Sequence, residues 1–157
     1  MLTVYSWATS DVGKKRSHNE DRYLVAADVG LFAVADGMGG HDKGEVAADL
    51  AVRVLDVFVH QHRARLDADA GGVIKDAIER ATAVVHDAGS GPTQHRMGTT
   101  TTSLLFAGDR CVVGHVGDSR AYLVRGGRIF QVSEDHSLVA QQVKAGAITP
   151  EQAKVSP

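Results

Sequence analysis

The segment Asp36-Gly37-Met38-Gly39-Gly40 follows a short apolar run, and a second acidic segment, Asn19-Glu20-Asp21, precedes another. Between them, Tyr23 to Val29 and Leu31 to Val34 have the composition of two short strands joined by a turn at Asp28-Val29-Gly30. A hairpin of this kind would bring both acidic segments to one end of a sheet. Carboxylates are the ligands that hard divalent cations prefer. The sequence therefore predicts a metal site at this place.

The composition of the chain limits its class. Its 157 residues, 43% of them hydrophobic, can bury the core of one compact domain. The formal net charge of -2, from 17 basic and 19 acidic residues, argues against a nucleic-acid-binding surface. The single cysteine, Cys111, lies in an apolar stretch and is interpreted as a small core residue of a protein in a reducing compartment. No signal peptide or membrane-spanning apolar run is recognisable, so we expect a cytoplasmic protein without a membrane partner.

The first half of the chain shows strand-like and then helical patterns. Thr3 to Thr9 is strand-like, and the hairpin follows it. Asp42-Lys43-Gly44-Glu45 resembles a capping box at the start of a long amphipathic helix. A second helix is predicted from about Val73 to His86, after a break at Ala70-Gly71-Gly72.

The second half is predicted to be mainly an antiparallel meander. Its strands are expected at Thr99 to Ala107, Arg110 to Val116, Arg120 to Arg125 and Arg128 to Val132. Helices are then expected at Ser137 to Ala145 and from Thr149-Pro150-Glu151-Gln152 onward. Runs of strands separated from runs of helices favour an α+β fold, in which helices pack on antiparallel sheets.

Five motifs follow one another along the chain: Arg16-Ser17-His18-Asn19-Glu20-Asp21, Asp36-Gly37-Met38-Gly39-Gly40, Met97-Gly98-Thr99-Thr100, Val116-Gly117-Asp118-Ser119-Arg120 and Ser133-Glu134-Asp135-His136. Their order resembles that of the metal-dependent protein phosphatases of the bacterial type 2C. The resemblance extends from about Ser6 to the last residue. The resemblance implies a four-layer α-β-β-α sandwich of antiparallel sheets flanked by helices. It also implies hydrolysis of phosphoserine and phosphothreonine in proteins, opposing a Ser/Thr kinase system.

The same resemblance assigns roles to individual residues. Asp36 would bridge two Mn²⁺ or Mg²⁺ ions, and Gly37 would offer its backbone carbonyl. Residues Glu20 and Asp21 would bind the metals mostly through water, and Asp118 would hold a third cation. A metal-bound water would be the nucleophile. Arg16 would bind the substrate phosphate through its planar guanidinium, so that the expected metal ligands and phosphate ligand are Glu20, Asp21, Asp36, Gly37, Asp118 and Arg16.

Taken one at a time, these motifs have ordinary structural interpretations. Gly117-Asp118-Ser119 could be a tight turn, and Thr99 to Thr102 a β-prone strand start without chemistry. We interpret Ser133, Asp135 and His136 as structural residues before the next helix. Met38 stands where many eukaryotic relatives carry a histidine, and methionine has no proton to donate. The general acid is therefore not identified, and His41 is not assigned that role.

The position of the chain end, Val155-Ser156-Pro157, adds further expectations. The family's downstream Ser-Asp-Gly and Asp-Asn segments supply two more metal aspartates, so residues 1–157 would be the N-terminal portion of the catalytic domain, with 137–157 as the start of its flap. The second cation site would be incomplete in this chain. We expect self-association through unpaired strand edges and little activity. Two alternatives remain: a pseudophosphatase that binds phosphoproteins without turnover, and a fragment without function of its own.

Overall fold

The computed structural model describes residues 3–39, 43–90 and 97–153, in which strands and helices follow one another in an α+β arrangement. The elements are β1 (Asp21–Ala26), β2 (Leu31–Gly39), α1 (Lys43–Gln61), a 3-10 turn (Arg63–Arg65), α2 (Leu66–Gly89), β3 (Met97–Thr99), β4 (Thr101–Ala107), β5 (Arg110–Val116), β6 (Tyr122–Arg125), β7 (Arg128–Gln131), α3 (Leu138–Lys144) and α4 (Pro150–Ala153). Gly40, His41 and Asp42, the last of these being the predicted helix cap, lie outside the described residues, as do 91–96 and 154–157. No helix in the described part of the chain has the length and apolar character that crossing a membrane requires.

An antiparallel five-stranded sheet forms the centre of the structure. Strand β2 pairs with β1 on one side and with β3 and β4 on the other, and β5 pairs with the far side of β4. The predicted β1–β2 hairpin is confirmed, with its turn at Ala27–Gly30. Gly30 has a φ of +69°, and a side chain there would meet the Phe106 carbonyl oxygen at 2.7 Å, so glycine is required. Strand β2 also continues beyond Val34 through Asp36 to Gly39.

Helices α1 and α2 cover one face of this sheet. The apolar spacing predicted for α1 is confirmed, because Ala47, Ala51 and Leu55 are buried. They form one core with the buried side chains of α2 and with Leu31 and Leu105 of the sheet. This packing fixes the direction of β2 and the place where its acidic end meets α1.

The predicted break at Ala70-Gly71-Gly72 is wrong, since these residues are helical. The interruption lies at Asp69, whose φ of -148° and ψ of 54° are not helical. Its carboxylate accepts a hydrogen bond from the Gly72 amide at 2.9 Å, which is the arrangement of an N-cap. Glycine at these positions is tolerated because the cap and the buried residues that follow stabilise the helix.

The strand predicted at Thr3–Thr9 is also wrong. Residues 3–20 contain no helix or strand, and Trp7 is 86% exposed. A β-prone segment becomes a strand only when a neighbouring strand takes its backbone hydrogen bonds. No strand of the described residues pairs with this segment.

The predicted meander is interrupted between β5 and β6. Strands β6 and β7 pair with each other in a separate two-stranded sheet, and their residues are exposed. The helix starts that follow are as predicted: the Ser137 hydroxyl accepts from the Ala140 amide, and the Thr149 and Gln152 side chains cap each other's amides. Cys111, predicted to be a core residue, is exposed on β5. It lines an apolar cavity of about 590 Å³ between the large sheet and the β6–β7 pair, and partial burial there raises the pKa of its thiol.

A histidine ties the β1–β2 turn to the end of α1. Nδ1 of His60 donates to the Asp56 carbonyl oxygen at 2.9 Å, and Nε2 donates to the Asp28 carboxylate at 2.9 Å. Both partners can only accept, so the geometry fits a doubly protonated ring. These hydrogen bonds raise the pKa of His60, and the same contact lowers the pKa of Asp28.

Candidate metal centre

Two acidic side chains, Asp21 and Asp36, lie together where β1 begins. They are directly opposed in the β1–β2 register. Opposed residues of an antiparallel pair point to the same face of the sheet. The hairpin therefore places the two carboxyl groups side by side, and a cavity of about 220 Å³ opens between them and Ser10, Arg22 and Ser119.

The electrostatics of this place are unfavourable for a carboxylate. Partial burial raises the pKa of Asp36, and the charges of Asp21 and Asp118 together with a hydrogen bond from Asp21 raise it further. Arg16 acts in the opposite direction but does not cancel these effects. A group of carboxylates that repel each other in this way is stabilised by a cation, which is the local charge they lack.

The backbone at Gly37 is held against the first turn of α1. Its amide donates to the Glu20 carbonyl oxygen at 3.2 Å, which extends the β1–β2 pairing by one residue. A Cβ at Gly37 would overlap the Gly44 carbonyl oxygen and lie 2.8 Å from the Glu20 carbonyl oxygen. Glycine is therefore required for the strand and the helix to approach this closely. The role of the Gly37 carbonyl as a metal ligand stays a prediction.

Glu20 occupies a different position from Asp21. A Cβ at Gly44 would overlap its carboxylate, which thus lies directly over the first turn of α1. The partial positive charge of a helix N-terminus favours an acidic group there. The guanidinium of Arg16 lies 3.8 Å from the same carboxylate, although the Arg16 side chain is 69% exposed. The structure therefore brings Glu20 to Arg16 and to the first turn of α1.

Asp118 belongs to the loop that follows β5. It is exposed, and the preceding Gly117 has a φ of +108°, a conformation that favours glycine. The negative charge of Asp118 contributes to the raised pKa of Asp36. However, no group of three or more His, Cys, Asp or Glu side chains within residues 3–39, 43–90 and 97–153 is arranged closely enough to hold a metal ion. The donor chemistry of the Asp21–Asp36 pair fits Mn²⁺ or Mg²⁺, and Asp118 lies near this pair without completing a shell.

The segment before α3 is joined to the Asp118 loop by several hydrogen bonds. The Asp135 carboxylate accepts from Arg120 at 2.9, 3.0 and 2.5 Å, and this pairing lowers the pKa of Asp135. The buried Ser133 hydroxyl accepts from the Ala121 amide at 2.9 Å. The His136 amide donates to the Gly117 carbonyl oxygen at 2.7 Å. These contacts hold the segment in place, which agrees with the structural role expected for Ser133, Asp135 and His136.

The sequence interpretation missed two hydroxyl groups beside Asp36. The Thr100 hydroxyl accepts a hydrogen bond from the Asp36 amide and also contacts the Ser119 hydroxyl. Taken alone, Thr100 is an ordinary β-prone residue, and its position within the Met97-Gly98-Thr99-Thr100 motif is the signal in the sequence of a further role.

Known proteins resemble this chain over nearly its whole length. The family described as protein phosphatase 2C matches residues 13–152. Serine/threonine protein phosphatase PstP of Mycobacterium tuberculosis is 42% identical over 156 residues, covering 96% of this chain and 28% of PstP. Protein phosphatase PhpP of Streptococcus pneumoniae is 34% identical over 151 residues, covering 94% of this chain and 61% of PhpP.

A solved structure agrees with these sequence matches. The catalytic domain of PstP in complex with two manganese ions superposes with a TM-score of 0.75 at 38% identity, covering 92% of this chain and 61% of that one. The chain thus spans less than two thirds of the length of these relatives. The likeness confirms the expected α+β class of antiparallel sheets and flanking helices. Family match, sequence identity and fold agree, and the chain belongs to the protein phosphatase 2C family.

Proposed function

We propose that this chain acts in metal-dependent hydrolysis of phosphoserine and phosphothreonine in proteins. The observation that carries the proposal is the cross-strand pair of Asp21 and Asp36, in which the pKa of Asp36 is raised by burial and by neighbouring acidic groups. The names of PstP and PhpP as protein phosphatases support the reaction. The two manganese ions in the PstP structure support the choice of metal, with Mg²⁺ as the other candidate.

Each candidate residue has a role in this proposal. Asp36 and the Gly37 carbonyl would hold the cations, Glu20 and Asp21 would act mostly through water, and Asp118 would hold a third cation. When bound, the cations supply Lewis acidity, which makes water a nucleophile at neutral pH. The chain itself supplies the opposed carboxylates and keeps them in register through the β1–β2 pairing.

Arg16 is proposed to bind the substrate phosphate. Its side chain is 69% exposed, and its charge acts on Asp36, so it lies near the carboxylate pair while remaining accessible. A guanidinium can bind two phosphate oxygens at once, whereas a lysine ammonium offers a single point charge. The contact with Glu20 at 3.8 Å would limit the orientations of the Arg16 side chain before substrate binds.

The proposed flap begins with α3 and α4, in residues 137–157. Its described part is anchored beside the Asp118 loop, because Nε2 of His115 donates to the Glu134 carbonyl oxygen at 3.0 Å and Lys144 pairs with the Glu134 carboxylate at 2.7 Å. This position supports a role in substrate access. Residues 1–157 would then act as one domain.

The proposed partners are phosphoproteins of a Ser/Thr kinase system in the cytoplasm, and further copies of this chain. Self-association is supported by the apolar outer face of the large sheet, where Val25 and Val34 are nearly half exposed. Strands β1 and β5 each have an edge that no strand of the described residues pairs with. Size-exclusion chromatography tests this point, and a monomer at all concentrations would contradict it.

The reaction is tested with phosphothreonine and phosphotyrosine peptides of identical sequence. Phosphate release from the phosphothreonine peptide in Mn²⁺, lost in EDTA and absent with phosphotyrosine, is the expected result. Arg16→Lys should raise KM, while Arg125→Lys, a change on the exposed end of β6, should behave as the unmutated chain. Peptide binding without phosphate release would identify the alternative pseudophosphatase, and neither binding nor release would contradict both functions.

A further inference from the structure

Thr100 replaces one backbone contact of the sheet with a side-chain contact. The register of β2 against β3 and β4 is continuous, with Gly37 opposite Thr99 and Val34 opposite Thr102, so Thr100 is the residue opposite Asp36. The Thr100 amide donates to the Asp36 carbonyl oxygen at 2.9 Å. In return, the Asp36 amide donates to the Thr100 hydroxyl at 3.0 Å. Thr100 therefore holds both backbone polar groups of Asp36.

The same side chain contacts the loop that carries Asp118. The Thr100 hydroxyl lies 2.7 Å from the Ser119 hydroxyl, and one of the two donates to the other. A Cβ at Gly117 would lie only 2.6 Å from Cγ2 of Thr100, so the loop packs tightly against this methyl group. The residues on either side of Asp118 thus both touch Thr100.

We propose that Thr100 is a positioning residue that sets Asp36 and the Asp118 loop relative to each other for cation binding. This inference rests on the proposed function of the carboxylate pair. Thr100 does not itself supply a ligand. Its hydroxyl fixes the Asp36 backbone, and its methyl group and hydroxyl fix the Gly117–Ser119 loop, so one side chain controls the spacing of two acidic residues from distant parts of the sequence.

The alternative is that Thr100 has no positioning role and is only a β-branched residue suited to extended backbone. Valine has the same shape and the same β propensity but lacks the hydroxyl. Serine keeps the hydroxyl and lacks Cγ2. Comparing Thr100→Val with Thr100→Ser therefore separates the hydrogen bonds from the strand propensity and from the methyl contact with Gly117.

Thr101→Val is the matched control. Thr101 is the next residue in the chain, is buried, and lines the helix-covered side of the sheet beside Ala51 and Ile78. The chemical change is identical and lies at the first residue of β4, directly after Thr100, but it is on the other face of the sheet. Any difference between the two valine variants thus reports on the position of the hydroxyl.

Two measurements on the 157-residue chain test the proposal. The first is amide hydrogen exchange in EDTA, in which Thr100→Val should increase the exchange rate at Asp36 about tenfold, while Thr100→Ser and Thr101→Val should not. The second is Mn²⁺ binding by isothermal titration calorimetry. Loss of an outer contact of a metal ligand typically weakens metal binding by about 10- to 100-fold, and we expect a change of this size for Thr100→Val but not for Thr101→Val.

The outcomes separate the role of Thr100 from the proposed function of the chain. Equal Mn²⁺ affinity in Thr100→Val and Thr101→Val, with the unmutated chain binding Mn²⁺, would overturn the role of Thr100 and leave the proposed function standing. Unchanged Asp36 exchange in Thr100→Val would also overturn it. Absence of Mn²⁺ binding by the unmutated chain would overturn the proposed function, and the role of Thr100 in cation binding with it.

Discussion

Substitution of Gly37 by alanine probes the contact between β2 and α1 that shapes the candidate site. The added Cβ would overlap the Gly44 carbonyl oxygen and lie 2.8 Å from the Glu20 carbonyl oxygen. Both neighbours are backbone atoms, one in the first turn of α1 and one directly before β1, so no flexible side chain can move aside. Overpacking typically costs about 1–3 kcal/mol, and two rigid neighbours place this case at about 3 kcal/mol.

The assay is thermal unfolding followed by circular dichroism in EDTA. For a chain of this size each kcal/mol changes the midpoint by about 2–4 °C, so Gly37→Ala should lower it by about 6–12 °C. Gly71→Ala is the matched control, because no atom lies within 4 Å of its added Cβ and the residue is in α2. Alanine should stabilise that helix by up to about 1 kcal/mol. A Gly37→Ala midpoint equal to that of the unmutated chain would refute the close approach.

Three further predictions concern ionisable groups. The pKa of Asp36 is raised in the folded chain, so its ionised form destabilises the fold above the ordinary pKa of 3.8. Asp36→Asn should therefore raise the unfolding midpoint at pH 7 in EDTA but not at pH 3. A lower midpoint at pH 7 would contradict this. The pKa of His60 is also raised, so its contribution to stability is complete below its ordinary pKa of 6.5 and is lost as the pH rises through the raised value. His60→Asn should therefore reduce the loss of thermal stability between pH 6 and pH 9, and an unchanged pH profile would count against the contact. Asp135→Asn removes the carboxylate paired with Arg120 and should speed hydrogen exchange at the His136 amide. Equal exchange rates at His136 in the variant and the unmutated chain would contradict this.

The sequence predicts the parts of the fold whose signal is local. The helical period of α1, the turn at Gly30 and the caps of α3 and α4 depend on neighbouring residues, and the structure has them as expected. The strand predicted at Thr3–Thr9 is absent because a strand depends on a partner strand from elsewhere in the chain. The predicted start of α2 is wrong for a different reason. The Asp69 cap and the buried face that follows outweigh the low helix propensity of two glycines.

The candidate site shows the same division. The opposition of Asp21 and Asp36 follows from the hairpin, which the apolar pattern predicts. The position of Glu20 over the first turn of α1 depends on how closely Gly37 and Gly44 approach, which is a property of packing. The contact of Thr100 with the Asp118 loop joins the residue between β3 and β4 to the loop after β5, and no local pattern in the sequence indicates it.

The proposed function depends on the binding of a divalent cation by the Asp21–Asp36 pair. Titration of the unmutated chain with Mn²⁺, followed by the electron paramagnetic resonance signal of the free ion, measures this binding. Saturable binding is predicted for the unmutated chain and for Asp109→Asn, which changes an exposed carboxylate in the β4–β5 turn. Asp36→Asn should weaken binding at least about tenfold. Equal affinity in all three proteins, or no binding by the unmutated chain, would contradict the proposal.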